Sequence, residues 1–471
     1  MKRLSIIIFL VLPLVITTGC NSPFHKNPCS INYPSSTFEI PKAERFTLDN
    51  GIIVYFMGDD ELPLVNISAV IRTGSLYDPK EKEGLAEITG SVMRTGGTAR
   101  MKGDEIDEEL DYMAGSMSVS TGRESGTLSM SVLKEDLDKG MRIFSDILIH
   151  PVFEESKLKQ VQELSIESLR RVYDNPQRLA FREFTRIIYA GNPRGRLSSI
   201  SSINNINRSD LIHFHRQFFY PANIMIAVSG DIKKDKILTL LNKHLADWDI
   251  TGNVQAVPPP VKQPEKSISY IFKDIPQSVI ILGQIAPGKK DPDFFSFQVL
   301  DFILGSGGFN SRIFNEIRNN LGLAYSAGSF YSAHNDYGIF AAYAMTKSAS
   351  TAKTLSVISS IIKDTQDINV KEDELAWAKQ SIDSSFVFSF TSAEEIAIQQ
   401  LMVDYNNLPD DFLSTYRRNI KEVTLEDVKK VALSYLPEET QSVLVVGNEA
   451  NFDEPLSRFG KITKIEVKNG R

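Results

Sequence analysis

SSINNINRSDLIHFHRQFFYPANIMIAVSGDI, residues 201–232, and RNIKEVTLEDVKKVALSYLPEETQSVLVVGNE, residues 418–449, follow one plan. Without a gap, Ile203 aligns with Ile420, Ile206 with Val423, Asp210 with Asp427, Phe214 with Val431, Phe218 with Tyr435 and Gly230 with Gly447, each pair 217 positions apart. In both stretches a polar residue, Ser209 or Glu426, precedes a helix with an apolar i, i+4 face. A strand of β-branched and apolar residues follows each helix. A unit of this kind closing each half of a chain predicts a duplicated α+β domain.

Working outward, the proline-rich segment TGNVQAVPPPVKQPEK, Thr251–Lys266, lacks apolar periodicity and reads as a linker between domains at 41–250 and 267–471. Within the first, strands are predicted at Gly51–Phe56, Leu64–Arg72, Gly115–Thr121 and Gly126–Leu133. Helices are predicted at Asp104–Met113, Lys134–Ile149 and Glu154–Arg171. The second repeats the order, with strands at Ser267–Phe272, Ser278–Ile285, Leu323–Tyr331 and Gly338–Met345 and helices at Asp293–Leu304, Arg312–Asn320 and Ala352–Thr365. The fold class is therefore α+β: two homologous α/β-sandwich domains, each a mainly antiparallel sheet with helices packed on one face.

At 471 residues the chain is too long for one ordinary core. A net charge of -7 and the lack of a basic stripe exclude a nucleic-acid partner. The opening MKRLSIIIFLVLPLVITTGC has two cations, an apolar run interrupted by Pro13, and small residues ending at Cys20. It reads as a lipoprotein-type signal, residues 1–20, cleaved so that Cys20 carries lipid. Residues 21–40, rich in Ser, Pro and Asn, form a tether. With Cys20 lipidated, Cys29 has no disulfide partner, and stability must come from core burial. The expected location is the bacterial envelope, and Asn21, where an aspartate would favour the inner membrane, points to the outer membrane facing the periplasm.

Four separated stretches carry a resemblance: TLDNGIIVYF at Thr47–Phe56, AVIRTGSLYDPKEKEGLAEI at Ala69–Ile88, FFYPANIMIAVSGDI at Phe218–Ile232 and LGSGGFNSRIFNEIRNNLGLAYS at Leu304–Ser326. Together they resemble the pitrilysin/insulinase family of zinc metallopeptidases, in the bacterial branch similar to mitochondrial processing peptidase. The resemblance implies that the two domains form half of a clamshell. It also implies an inverted zinc motif, H-x-x-E-H, on the helix after Gly84-Leu85-Ala86. Histidines four apart share a helical face and reach one metal, while the glutamate takes a proton from the bound water.

Here those positions are Glu87, Gly90 and Ser91, and the third ligand, a glutamate expected 77 positions beyond the second histidine, falls on Ser168. Glu167 is one residue away and points about 100° around the helix. One carboxylate with serine hydroxyls is a poor zinc set. No catalytic residue or metal ligand is therefore assigned in this chain, and zinc is expected in a partner subunit. The six histidines read as surface or capping residues; His213 and His215, two apart on a helix, face away from each other. Neither a phosphate-binding glycine loop nor G-x-S-x-G occurs.

The second half keeps another family feature, an arginine and a tyrosine seven apart that bind substrate backbone, here Arg318 and Tyr325. Zinc positions lost and this pair kept resembles the non-catalytic subunit of a heterodimeric peptidase. The implied partners are a zinc-bearing sister subunit, an extended peptide held by strand addition near Ala114–Gly126, and a membrane reached through the lipid. Two other readings stand beside it: a peptide-binding or scaffold lipoprotein without proteolysis, and an active metallopeptidase with an altered metal site.

Overall fold

The structure is a computed structural model that describes residues 38–261, 265–367 and 370–467. The signal segment, Cys20, Cys29 and nearly all of the tether lie outside the described residues. Two six-stranded sheets account for the predicted halves. The first contains β1 (Glu44–Thr47), β2 (Ile53–Gly58), β3 (Leu64–Ile71), β4 (Ser116–Thr121), β5 (Gly126–Leu133) and β6 (Ile224–Gly230), in the order β1-β2-β6-β3-β5-β4. The second contains β7 (Ser267–Phe272), β8 (Gln277–Ala286), β9 (Ala324–Ala333), β10 (Gly338–Lys347), β11 (Ser442–Gly447) and β12 (Ile462–Lys464), in the order β12-β7-β11-β8-β10-β9. Pairing is antiparallel except for β2 with β6, β7 with β11 and β7 with β12.

The helices of the first half are α1 (Leu85–Thr95), α2 (Gly103–Tyr112), α3 (Leu137–Ile149), α4 (Glu155–Asp174), α5 (Pro176–Ile188), α6 (Ile200–Asn204), α7 (Arg208–Phe218) and α8 (Lys234–Leu245). Those of the second are α9 (Phe294–Asp301), α10 (Arg312–Phe314), α11 (Thr351–Asp364), α12 (Glu372–Phe386), α13 (Ala393–Tyr405), α14 (Phe412–Glu422) and α15 (Leu425–Tyr435). The repeated closing unit is α7 to β6 and α15 to β11. Its caps are Asn207 and Thr424, again 217 apart, rather than Ser209 and Glu426. Each accepts from the third helical residue, Asp210 or Asp427, whose carboxylate answers the cap N–H.

Strand β5 alternates buried Leu128, Met130 and Val132 with half-buried Thr127, Ser129 and Ser131, the pattern of a sheet with one deeply covered face. On that face Ile67, Leu128, Phe144, Phe218 and Leu241 form the first core. β6 and β11 are instead buried at every residue, so both of their faces are covered. The second cover of each sheet comes from the other half. From α5, Leu179, Ala180, Phe184 and Ile188 pack on Val279, Ile281 and Leu444 of the second sheet. From α13, Ala397, Leu401 and Tyr405 pack on Tyr55, Val70, Met225 and Ala227 of the first. The described residues from Ile40 onward accordingly pack as one body. The linker also packs: the Pro258 carbonyl accepts from Asn192 Nδ2 at 3.1 Å and from Arg194 at 2.7 Å.

Two predicted helices end in wide turns. α9 runs into a π-helical turn at Phe302–Ser306, and α10 into another at Asn315–Asn320. The bonds from Gly307 N to Phe302 O and from Leu321 N to Glu316 O span five residues. Gly305 allows the first of these turns to touch β9, because a Cβ there would meet the Ser329 backbone nitrogen at 2.1 Å.

Candidate functional site

Helix α1 begins where Gly84, at φ 106°, turns the chain, and Asp78 fixes its start. The Asp78 carboxylate accepts from Gly84 N at 2.7 Å and Ala86 N at 2.8 Å. Burial pushes its pKa up to about 7 against the pull of those two donors. Leu85, Ile88, Val92 and Met93 face the core. The opposite side lies along β4, the edge strand of the first sheet, where Arg94 donates to the Met117 carbonyl at 2.9 Å and to Asp107 at 2.6 Å.

The four motif positions fall as follows. Glu87 is exposed, Gly90 is buried, Ser91 is half-buried, and Ser168 is exposed on α4. A Cβ at Gly90 would lie 2.5 Å from Thr121 Oγ1 and 3.1 Å from Val119 Cγ1 of β4. The space into which a glutamate would project is thus already occupied by Thr121. Glu167 is exposed and paired with Arg171 at 3.2 Å. Zinc requires several deprotonated ligands converging on one point, and these residues do not supply them. Among the described residues no group of three or more His, Cys, Asp or Glu is placed to hold a metal ion.

His213 is exposed, its Nδ1 2.6 Å from the Ser209 carbonyl. His215 departs from the surface expectation: it is buried, with Nε2 2.9 Å from Leu148 O and its ring stacked on Phe219 at 4.7 Å. Burial holds its pKa down at about 4.

Arg318 and Tyr325 do come together. The wide turn at Asn315–Asn320 carries Arg318, Gly322 at φ 59° reverses the chain, and Ala324 opens β9, the edge strand of the second sheet. Arg318 Cζ lies 4.1 Å from the Tyr325 ring centroid, 4.9 Å from Phe314 and 5.8 Å from Phe309. Phe309 and Phe314 meet edge to face at 4.9 Å. Tyr325 is 80% exposed and Phe309 71%. Among the described residues Arg318 makes no ion pair and no hydrogen bond, so three π faces position the guanidinium while its N–H edges remain unspent. Phe309 and Phe314 were not singled out by the spacing argument; the signal for them is the GFNSRIF run, residues 308–314, whose aromatics bracket one turn.

The description "Insulinase (Peptidase family M16)" matches residues 58–198, and "Peptidase M16 inactive domain" matches residues 205–382, together more than half of the chain. An uncharacterized zinc protease of Rickettsia felis is 27% identical over 356 residues, 73% of this chain and 82% of that one. The mitochondrial-processing peptidase subunit beta of Mus musculus is 22% identical, spanning 88% of this chain and 86% of its own length. Among solved structures, a peptidase M16 inactive domain from Pseudomonas fluorescens superposes with a TM-score of 0.81 at 22% identity, covering 88% of this chain and 100% of that one.

Proposed function

Because the chain belongs to the insulinase/pitrilysin (M16) peptidase family, we propose that it is the non-catalytic subunit of a two-subunit zinc peptidase. In this reading it supplies Arg318 and Tyr325 to hold an extended peptide, and a sister subunit supplies the zinc. The observation that carries the proposal is a contrast between two sites. The zinc positions hold an exposed carboxylate, a glycine whose side-chain space is filled, and two serines. The Arg318 guanidinium, by contrast, is held in place with its donors free. Unspent guanidinium N–H groups and a phenol suit peptide carbonyls, and in a closed chamber they also stabilise the oxyanion of the tetrahedral intermediate. No proton transfer is assigned to this chain. Export, lipidation at Cys20 and residence at the outer membrane complete the proposal, and place the peptide substrates in the periplasm.

Reconstitution with a sister subunit of intact H-x-x-E-H motif tests it. The pair is expected to cleave peptides that neither chain cleaves alone. Arg318→Ala should lower kcat/KM of the pair by at least about tenfold, since a charge-assisted contact contributes roughly 1.5–3 kcal/mol. Arg318→Lys should restore little, because an ammonium lacks the planar fork. Full activity of the Arg318→Ala pair would favour a scaffold instead, and peptide hydrolysis by this chain alone with stoichiometric zinc would refute the proposal outright.

A further inference from the structure

A cavity of about 500 Å³ lies where the two halves meet, and none of its walls belongs to either site described above. Four cations line it: Arg72 just after β3, Arg123 in the β4–β5 turn, Arg194, and Lys289 beyond β8. Against them stands one carboxylate, Glu124, which is already committed. It pairs with Arg194, accepts from Tyr337 Oη at 2.9 Å and lies 3.0 Å from His334 Nδ1. Burial acts to raise its pKa, but the contacts with His334 and Arg194 outweigh it and hold the group ionised, down at about 2.

Among the described residues the other three cations form no ion pair with a carboxylate. Arg72 lies over the Tyr405 ring at 4.3 Å, Arg123 over Tyr189 at 4.9 Å, and Lys289 makes no ion pair among the described residues. Three like charges facing one hollow repel each other, and each is partly stripped of water. This is costly in any chain, and it stands out in one whose net charge is -7. The rest of the wall is mixed: Tyr77, Val254 and Met402 give it an apolar and aromatic side, and Ser125, His334, Asn335 and Asn406 add polar groups.

We propose that this cavity binds a small phosphate-bearing anion, a phosphate or diphosphate ester whose organic part rests on the apolar wall. A single carboxylate would neutralise one charge of three, whereas a phosphate monoester carries close to two at neutral pH and a diphosphate more. Guanidinium forks match phosphate oxygens in pairs, and the ammonium of Lys289 adds a point charge. The volume suits a small organic ligand rather than a bare ion. Arg123 comes from the first half and Lys289 from the second, so the ligand would join the two halves at their junction. The proposal does not depend on the role given to Arg318.

Titration calorimetry and thermal melting of the full chain with sodium pyrophosphate and phenyl phosphate, at constant ionic strength, decide it. One saturable site per chain is expected for both, with a melting temperature that climbs with ligand concentration. Sodium benzoate, with the same ring and a single carboxylate, should bind at least about tenfold more weakly than phenyl phosphate. Lys289→Met keeps the aliphatic stem and should weaken both phosphates by about tenfold or more, with a ligand-free melting temperature no lower than that of the parent chain. Failure of both phosphates to saturate the parent chain at millimolar concentration overturns the proposal without recourse to any variant. Benzoate binding as tightly as phenyl phosphate, or a folded Lys289→Met chain with undiminished affinity, overturns it equally.

Discussion

Gly90 sits in mid-helix, where glycine costs roughly 1 kcal/mol relative to alanine. The structure supplies the reason it persists: Thr121 of the neighbouring edge strand fills the space a side chain needs. Gly90→Ala should therefore destabilise the chain by about 1 kcal/mol or more, the overpacking term exceeding the propensity gain. In a Thr121→Ala background the same change should become stabilising by up to about 1 kcal/mol. Urea denaturation of the four chains of this cycle measures the sign change, and equal effects in both backgrounds would refute the account. His215 gives a second test at this scale. Its ordinary value of 6.5 falls to about 4 on burial, so its contribution is complete above about pH 6.5 and is lost as pH falls towards 4. At pH 5 that loss is about 2 kcal/mol. Asp78, raised by burial, acts in the opposite sense, gaining as pH falls through 7, so only a comparison with His215→Phe isolates the histidine. The variant should lose roughly 1–3 kcal/mol at pH 7, from the Leu148 carbonyl left unpaired, yet lose about 2 kcal/mol less than the parent between pH 7 and pH 5. Parallel pH dependence would rule out the buried neutral state.

At the scale of elements, much was legible in side-chain periodicity and the rest was not. The strand Gly126–Leu133 falls where its alternation places it, and Ser267–Phe272 likewise. Arg318 and Tyr325 were pointed out by the resemblance rather than by periodicity, and they lie on either side of one chain reversal. The wide turns escaped because periodicity reports which residues are buried, not which carbonyl each N–H chooses. Helix α13 escaped for a related reason: Ile396, Ala397, Leu401, Val403 and Tyr405 are apolar around most of its circumference, so no single face announces itself. Helix α5 carried a readable start, Asn175 capping and Pro176 at its first position, but nothing in its own sequence says that it covers the sheet of the other half. The cations of the cavity, spread from Arg72 to Lys289, were invisible for the same cause. Phe184, nearly fully buried on α5, makes the cross-cover testable. Phe184→Ala should cost about 3–5 kcal/mol, and fluorescence and circular dichroism should report one shared unfolding transition. Two separated transitions would mean that the halves fold independently.

On the scale of the whole molecule, the predicted division into two domains with a linker describes the course of the chain better than its cohesion. Two sheets are present, yet the Pro258 carbonyl of the linker is hydrogen-bonded to the first half and each sheet borrows a helix across the boundary. This borrowing has a consequence for descent. A single ancestral half, expressed alone, would leave one face of its sheet bare, the face that α13 or α5 now covers, and an exposed apolar sheet of that kind does not persist as a monomer. Two copies of such a half, each lending its helix to the other, would have covered both faces at once, as a domain-swapped homodimer does. The present chain carries that exchange of helices within one covalent body.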